Sequence, residues 1–355
     1  IYGIATERET DYAYFGCIFE GKLIMDKILT VAVCAYNMED YLGEALESCM
    51  IPSVDKIEVL IMNDGSTDHT EDIANTFCDR NPETFRLVTK PNGGWGSNVN
   101  LATQLATGKY FRILDADDWF DKENLEKFVQ HLLKTDAEVI SSLYIHCYGT
   151  KRNIHHMAWE KYAGQEIALE KMQEPVHLSM WGVTYRSDLL KEHPLDLPEH
   201  ILYTDSIYVL KPLTYAKYMS VFAAPVYNYR LGRDGQSVSC ESVKKHYKEM
   251  QKVMGIQLQF YKDIGVRSKN RIHLLHRMET TYHVTMENFL KLSRYREVSV
   301  ETLTRDTDLM YKNMVPQLYE KLGKRQYVRL LRKANYKDTK LVNTILRVRD
   351  FVRKQ

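Results

Sequence analysis

Three carboxylates fall within four residues at Asp115-Ala116-Asp117-Asp118. At the end of a buried strand they would repel one another. A hard divalent cation relieves that cost by taking carboxylate oxygens as ligands. Mg2+ or Mn2+ held by one or two carboxylates completes its shell with substrate phosphates, so a nucleoside diphosphate is the natural companion. The same residues would equally serve as a solvated turn capping the next helix. Asp64, in Asn63-Asp64-Gly65-Ser66, offers a carboxylate to a base N–H or a ribose hydroxyl, or builds an Asx turn. Tyr36 supplies a ring that stacks on a base, and Asn37 supplies a donor and an acceptor. A tight strand–helix loop is the plainer reading of that pair. In Asn92-Gly93-Gly94-Trp95-Gly96 the glycines let a ligand approach the backbone, ahead of a helix whose N-terminal N–H groups suit an anion. The loop is neither a Walker loop nor a G-x-G-x-x-G fingerprint.

The elements around these residues follow a simple rhythm. Apolar, β-branched runs at 28–34, 57–62, 85–89 and 110–114 predict buried strands, with a further strand near 138–144. Between them, helical spacing predicts helices over 39–49, from 68 (Asp68 with Glu71 as a capping box), over 97–106 and over 122–134. Alternating strand and helix implies an α/β fold with a parallel sheet. Ligands of such sheets bind beyond the carboxyl ends of the strands. Tyr36-Asn37, Asp64-Gly65, the glycine loop and the aspartate run all sit at those ends, so four strand ends converge on one edge. Residues 145–240 are aromatic-rich with weak periodicity. Residues 241–355 read as helical, with Val253, Ile256, Leu258 and Tyr261 at helical spacing.

The 355-residue chain is 44% hydrophobic and 27% charged, which excludes disordered, collagenous and disulfide-scaffold classes. A net charge of +1 gives no global field for nucleic acid. That balance hides a split: residues 321–355 carry twelve Lys/Arg against two Asp/Glu, and the body is correspondingly acidic. Val328, Leu331, Leu341, Ile345, Leu346, Val348 and Val352 lie among those cations. The pattern suits either an anionic membrane surface or a helix packed on the acidic body. The six cysteines form no C-x-x-C pair and read as buried thiols in a reducing cytoplasm. His155-His156 has no second histidine cluster to make it a metal site. No apolar run is long enough to span a membrane. Glu7, Arg8, Glu9 and Asp11 interrupt any signal core, and Met25 is a candidate start, so residues 1–26 read as an N-terminal extension outside the native fold.

The order AYN, IMNDGSTD, PNGGWGS and ATGKYFRILDADDW resembles family 2 glycosyltransferases of the GT-A fold, closely over 27–145 and more loosely to 240. The resemblance implies a Rossmann-like, mostly parallel sheet flanked by helices, with a nucleotide-binding half (27–145), an acceptor half (146–240) and a helical C-terminal region (241–355). It implies that Ala35, Tyr36 and Asn37 line the base pocket and that Asp64 bonds the base. Asp115 would face the ribose or the metal shell, and Asp117 would be the main ligand of Mn2+ or Mg2+. The glycine loop with Gly94, and Asn100 in the helix behind it, complete the nucleotide side; many relatives have Arg before that Asn, where this chain has Val99. Asp205, in Thr204-Asp205, matches the base that deprotonates the acceptor hydroxyl in an inverting transfer. Arg230, with Arg233 and Gln236-Ser237, matches a segment near the diphosphate. Trp181 offers a face to a sugar ring or to the core.

The activity this resemblance implies is transfer of a sugar from a UDP-linked nucleotide sugar to a glycan or lipid-linked acceptor in cell-surface polysaccharide synthesis. The expected place is the cytoplasm, peripheral to the inner membrane face through the 321–355 tail. A sugar-phosphate nucleotidyltransferase would share nucleotide, metal and sheet, but carries a Gly-rich basic loop after its first strand, where this chain has Ala35-Tyr36-Asn37. A catalytically silent scaffold docking on membranes would not need Asp64, Asp117 and Asp205.

Overall fold

The computed structural model describes residues 27–344 apart from 234, 238, 296, 297, 338 and 341. The N-terminal extension and the tail positions Leu341, Ile345, Leu346, Val348 and Val352 lie outside the described residues.

The first half alternates as its apolar runs predict. β1 (Leu29–Ala35), β2 (Ile57–Asn63), β3 (Phe85–Thr89) and β4 (Tyr110–Asp115) form a parallel unit in the order β3-β2-β1-β4. Every residue of β1 and β2 is buried, which is why both read as continuous apolar runs. The intervening helices are α1 (Leu42–Glu47), α2 (Thr70–Arg80) and α3 (Trp95–Leu105). α1 is shorter than its pattern suggests. α2 opens without the expected capping box: Asp68 Oδ1 accepts the Thr70 N–H at 3.0 Å, whereas Glu71 turns to the Asn63 amide at 2.9 Å. α3 packs on β1 and β2.

Beyond β4 the sheet becomes mixed. The short β5 (Trp119–Phe120) leads to α4 (Lys122–Leu132), capped by Asp121 and buried along Leu125, Phe128, Val129 and Leu132. β6 (Val139–Tyr148) and β7 (Lys151–His155) make a hairpin; β8 (Glu166–Ala168) and β9 (Val183–Arg186) follow, then α5 (Ser187–Glu192) and α6 (Asp205–Leu213). The long β10 (Tyr218–Leu231) runs parallel to β6, with register shifts around Pro225, which lacks a ladder N–H. The sheet path is β3-β2-β1-β4-β9-β6-β10-β5, with β9 antiparallel to both neighbours. Chain order reverses at β1, whose neighbours are β2 and β4, and this sets a crevice at the carboxyl ends of β1 and β4.

The C-terminal helices are α7 (Cys240–Asp263), α8 (Arg271–Lys291), α9 (Val300–Met314), α10 (Pro316–Leu322) and α11 (Gln326–Lys333). α6 packs against both α7 and α8, tying this region to the sheet. Within the basic tail, Val328 and Leu331 are buried against the body. Asp308 of α9, fully buried, accepts from Arg332 Nε at 2.7 Å, Tyr282 OH at 2.7 Å and Tyr336 OH at 2.5 Å. The described tail therefore takes the packed alternative. Cys34, Cys49 and Cys147 are buried free thiols, and burial raises the thiol pKa of each.

Candidate active site

The crevice is organised first by backbone. Ala35, buried at the end of β1, accepts the Asp64 N–H through its carbonyl at 2.9 Å. Asn37 adopts φ 51°, and its side-chain oxygen accepts the Thr67 N–H at 2.8 Å while its own N–H donates to Ser66 Oγ at 3.0 Å. The loops after β1 and β2 are thus laced together, and Tyr36 between them leaves 47% of its surface to solvent. An exposed ring at the crevice suits stacking.

Asp64 has a different immediate role from a lone base-binding group. Its carboxylate accepts the Gly93 N–H at 3.0 Å and the Gly94 N–H at 2.8 Å, and it pairs with Lys90. Lys90 also donates to Ser97 Oγ at 2.7 Å. Asp64 therefore holds the glycine loop in shape through two N–H groups just ahead of α3. The glycines also face protein rather than open space. Gly94 has φ 82°, and a Cβ there would lie 3.2 Å from His200 N. At Gly96 a Cβ would lie 2.6 Å from the Pro198 carbonyl. The His200 N–H donates to Gly93 O at 2.7 Å. These positions let the segment before Asp205 approach the loop. Asn100 serves the same contact: its amide exchanges two hydrogen bonds with the Leu197 backbone, at 2.9 and 3.0 Å, instead of presenting a free group to a nucleotide. Val99 is fully buried in the core.

The three carboxylates of the aspartate run part ways. Asp115 Oδ1 accepts the Trp95 indole N–H at 2.9 Å. Burial, then the Asp117 and Asp205 charges, push its carboxyl up to about 7. Asp117 Oδ2 pairs with Arg233 at 2.8 Å. Asp118, buried, accepts Tyr227 OH at 2.6 Å and the Arg230 N–H at 2.7 Å, so it fastens β10 beneath the loop. Arg230 crosses the site: Nε donates to the Asp117 carbonyl at 2.7 Å, a terminal nitrogen meets Glu44 at 2.5 Å, and the guanidinium lies over the Trp119 and Tyr41 rings. Gln236 holds this arm in place by donating to the Arg230 carbonyl at 2.6 Å.

Asp205 is the first residue of α6. Burial raises its carboxyl, and Arg277 of α8 opposes that rise. Arg277 lies in the region read only as helical; its Nε is buried without a hydrogen-bond partner, and one terminal nitrogen reaches the Leu178 carbonyl at 3.3 Å. Asp115 feels both Asp117 and Asp205, so the expected acid pair and the expected base share one electrostatic neighbourhood. The structure thus brings together Ala35, Tyr36, Asn37, Asp64, Gly94, Asp115, Asp117, Arg230 and Asp205 around one sheet edge, with Asn100 behind it. Lys90, Trp95, Tyr227 and Arg277 were missed, because each acts through a partner distant in sequence.

The residues fit a divalent cation. The excess negative charge that raises Asp115 is what a cation relieves, and Asp115 and Asp117 offer two hard oxygen donors. Among the described residues no cluster of three or more metal-ligating side chains forms a closed cage, so such an ion would draw its remaining ligands from elsewhere.

Residues 30–193, from β1 through α5, match the family model described as Glycosyl transferase family 2. The Bacillus subtilis protein EpsH, named as a glycosyltransferase, is 26% identical over 211 residues, covering 57% of this chain and 60% of EpsH. Chondroitin synthase of Pasteurella multocida is 33% identical over 129 residues, covering 36% of this chain and 12% of that protein. This chain therefore spans less than two thirds of the length of both relatives. The crystal structure of Staphylococcus aureus TarS 1–349 in complex with UDP-GlcNAc aligns with a TM-score of 0.65 at 21% identity, covering 90% of this chain and 91% of that one. No helix among the described residues is long and apolar enough to cross a membrane. A polar crevice at the switch of a parallel unit, closed by a mixed sheet, is thus carried on a GT-A fold like that of TarS, and its defining segment, residues 30–193, matches the model of glycosyl transferase family 2.

Proposed function

We propose that this chain is an inverting, metal-dependent transferase that moves a sugar from a UDP-sugar to a hydroxyl of a glycan or lipid-linked acceptor in cell-surface polysaccharide synthesis. The observation that carries this reading is the shared neighbourhood of Asp115, Asp117 and Asp205 beside the β1–β4 crevice. UDP-GlcNAc on the structurally similar TarS and the polysaccharide chemistry of the named synthase support the donor and product classes.

In this reading residues 27–145 bind the donor. Tyr36 stacks on the base, with Ala35 and Asn37 shaping its pocket, and Asp64 reaches the base from the rim of the loop it holds. Residues 146–240 bind the acceptor. Asp205 takes the proton of the acceptor hydroxyl as that oxygen attacks the anomeric carbon, opposite the departing diphosphate. Inversion needs only this one base. Asp117 and Asp115 would hold Mn2+ or Mg2+, which supplies charge stabilisation to the diphosphate when bound. Arg230 and Arg233 add fixed positive charge on the same side. The helical region 241–355 supplies Arg277, which favours the ionised form of Asp205.

Free buried thiols support a cytoplasmic setting. Contact with the inner membrane face is the remaining part of this reading. Burial of Val328 and Leu331 leaves that task to residues beyond the packed helix. The loop after β1 is occupied by bonds to Ser66 and Thr67, which speaks against a nucleotidyltransferase.

The test is a thermal-shift panel of nucleotide sugars with and without Mn2+, followed by hydrolysis of the donor that stabilises. A midpoint rise confined to UDP-sugars with Mn2+, lost in Asp117→Ala, is expected. Full turnover by that variant would remove the metal assignment.

A further inference from the structure

One cluster of groups is left unused by this chemistry. Trp181 and Tyr229 stack at 4.0 Å with 21° between their planes. His146 meets the edges of both, at 6.2 and 5.8 Å. Tyr144 contacts Trp181 at 5.4 Å and stacks with His155 at 4.8 Å and 20°. The result is a continuous wall of five rings from β10, across the 180–182 turn, to the outer strand of the β6–β7 hairpin. Tyr144 is buried, while the other four rings keep partial exposure.

The wall is built rather than incidental. The fully buried Arg112 of β4 donates to the Trp181 carbonyl at 2.6 Å and to Thr184 Oγ1 at 3.0 Å, fixing the turn from below. Gly182 lets the turn lie on β6, because a Cβ there would sit 2.6 Å from the Ser142 carbonyl. Polar atoms on the wall are left over. The Trp181 indole N–H is buried without a hydrogen-bond partner. Burial lowers the pKa of His146 and His155, so both are neutral near pH 7, each offering a donor and an acceptor nitrogen. Tyr229 feels the charges of Asp115, Asp117 and Asp205, which sets the inner end of the wall against the reacting site.

Partly exposed rings interleaved with unpaired donors and acceptors match a ligand that is apolar on its faces and hydroxylated around its rim. That is the chemistry of a pyranose. An unpaired buried donor costs free energy, and a ligand hydroxyl restores its partner. We propose that Trp181, Tyr229, His146 and His155 form an acceptor-binding platform for a saccharide of two or more consecutive rings, leading its terminal hydroxyl to Asp205. The proposal rests on the transferase reading and narrows its acceptor to an oligosaccharide rather than a simple alcohol.

The experiment uses the full chain on an array of defined bacterial glycans of increasing length, with Trp181→Ala, Trp181→Phe and His155→Ala alongside. A UDP and Mn2+ thermal shift is measured in parallel for every variant. Expected is capture by the unsubstituted protein from disaccharides upward, weakened about tenfold in Trp181→Ala and in His155→Ala, and largely kept in Trp181→Phe. The UDP and Mn2+ shift should be the same in all four proteins. His155 sits on the outer hairpin strand, so its variant remains informative if Trp181→Ala fails to fold. Glycan capture that is unchanged in His155→Ala and Trp181→Ala overturns the platform, as does a protein that captures no glycan at all. A missing UDP and Mn2+ shift in the unsubstituted protein overturns the transferase reading instead, whatever the array shows.

Discussion

The indole N–H of Trp95 donates to Asp115 Oδ1 at 2.9 Å, joining the glycine loop to the aspartate loop through one charge-assisted bond. That bond favours the ionised carboxylate, against burial and the Asp117 and Asp205 charges that together bring Asp115 to about 7. Trp95→Phe removes the donor and keeps the ring. Hydrogen bonds to charged groups contribute roughly 1.5–3 kcal/mol. A cation at Asp115 requires the ionised form, so the pH at which Mn2+ binding is half lost should rise by about one unit in Trp95→Phe, followed by calorimetry with UDP present.

The same carboxyl has a stability signature. Its folded pKa of about 7 lies above the ordinary aspartate value of 3.8, so between those values the folded state holds a proton that the unfolded state has released. Its contribution is therefore fully favourable at low pH and lost as pH rises through that window. Asp115→Asn cannot ionise and escapes the loss. In thermal melts without divalent cation, the variant should gain on the unsubstituted protein steadily from pH 4 to pH 7.5. A constant difference across that range would show that Asp115 is not the titrating group.

Asp205→Asn preserves the shape of the side chain and removes its basicity. Transfer should fall by about 10²- to 10⁴-fold, while the UDP and Mn2+ thermal shift stays unchanged. Because burial raises the Asp205 carboxyl, activity of the unsubstituted protein should decline on the acid side at a pH above the ordinary carboxylate range. Arg277→Met should move that decline to still higher pH, since Arg277 opposes the rise.

Gly96→Ala should destabilise without touching any proposed ligand. The added methyl would lie 2.6 Å from the Pro198 carbonyl and 3.1 Å from Leu197 Cβ, and backbone cannot yield as a flexible side chain does. Overpacking of this kind costs about 1–3 kcal/mol. Urea titration should show a lower midpoint with an unchanged slope.

Arg332→Met leaves Asp308 buried with only its two tyrosine donors. Breaking a buried ion pair from one side costs roughly 3–5 kcal/mol. Adding Asp308→Asn to that variant should recover much of the loss, which a double-mutant cycle in urea would measure.

The parallel half was legible because β1 and β2 are buried on both faces and their runs are uninterrupted. The ends of β1, β2 and β4 accordingly put Tyr36, Asp64 and Asp115 on one edge of the sheet. β10 was not legible: Pro225 and the register shifts beside it break any period, although this strand carries Tyr227, Tyr229 and Arg230. The glycine loop misled in a particular way. Glycine reports that something comes close, not what comes close, and here it is the 197–204 segment. Asp68 and Glu71 had capping-box spacing, but Asn63 drew Glu71 away by a tertiary bond. Arg277 had no local signal at all, since its meaning comes from α8 packing on α6. The basic tail offered two balanced readings, and the packing of its described part on the body turns on Asp308, which lies outside it in sequence.

The segment approaching Asp205 contains Asp196, His200 and Tyr203, all non-glycine residues at positive φ, of 46°, 53° and 66°. Left-handed backbone at such residues costs of order 1–3 kcal/mol each and persists where the surroundings hold it in place. Glycine at these sites would relieve the local backbone cost while loosening the approach to α6, so the strained side chains hold the chain stiff just ahead of Asp205.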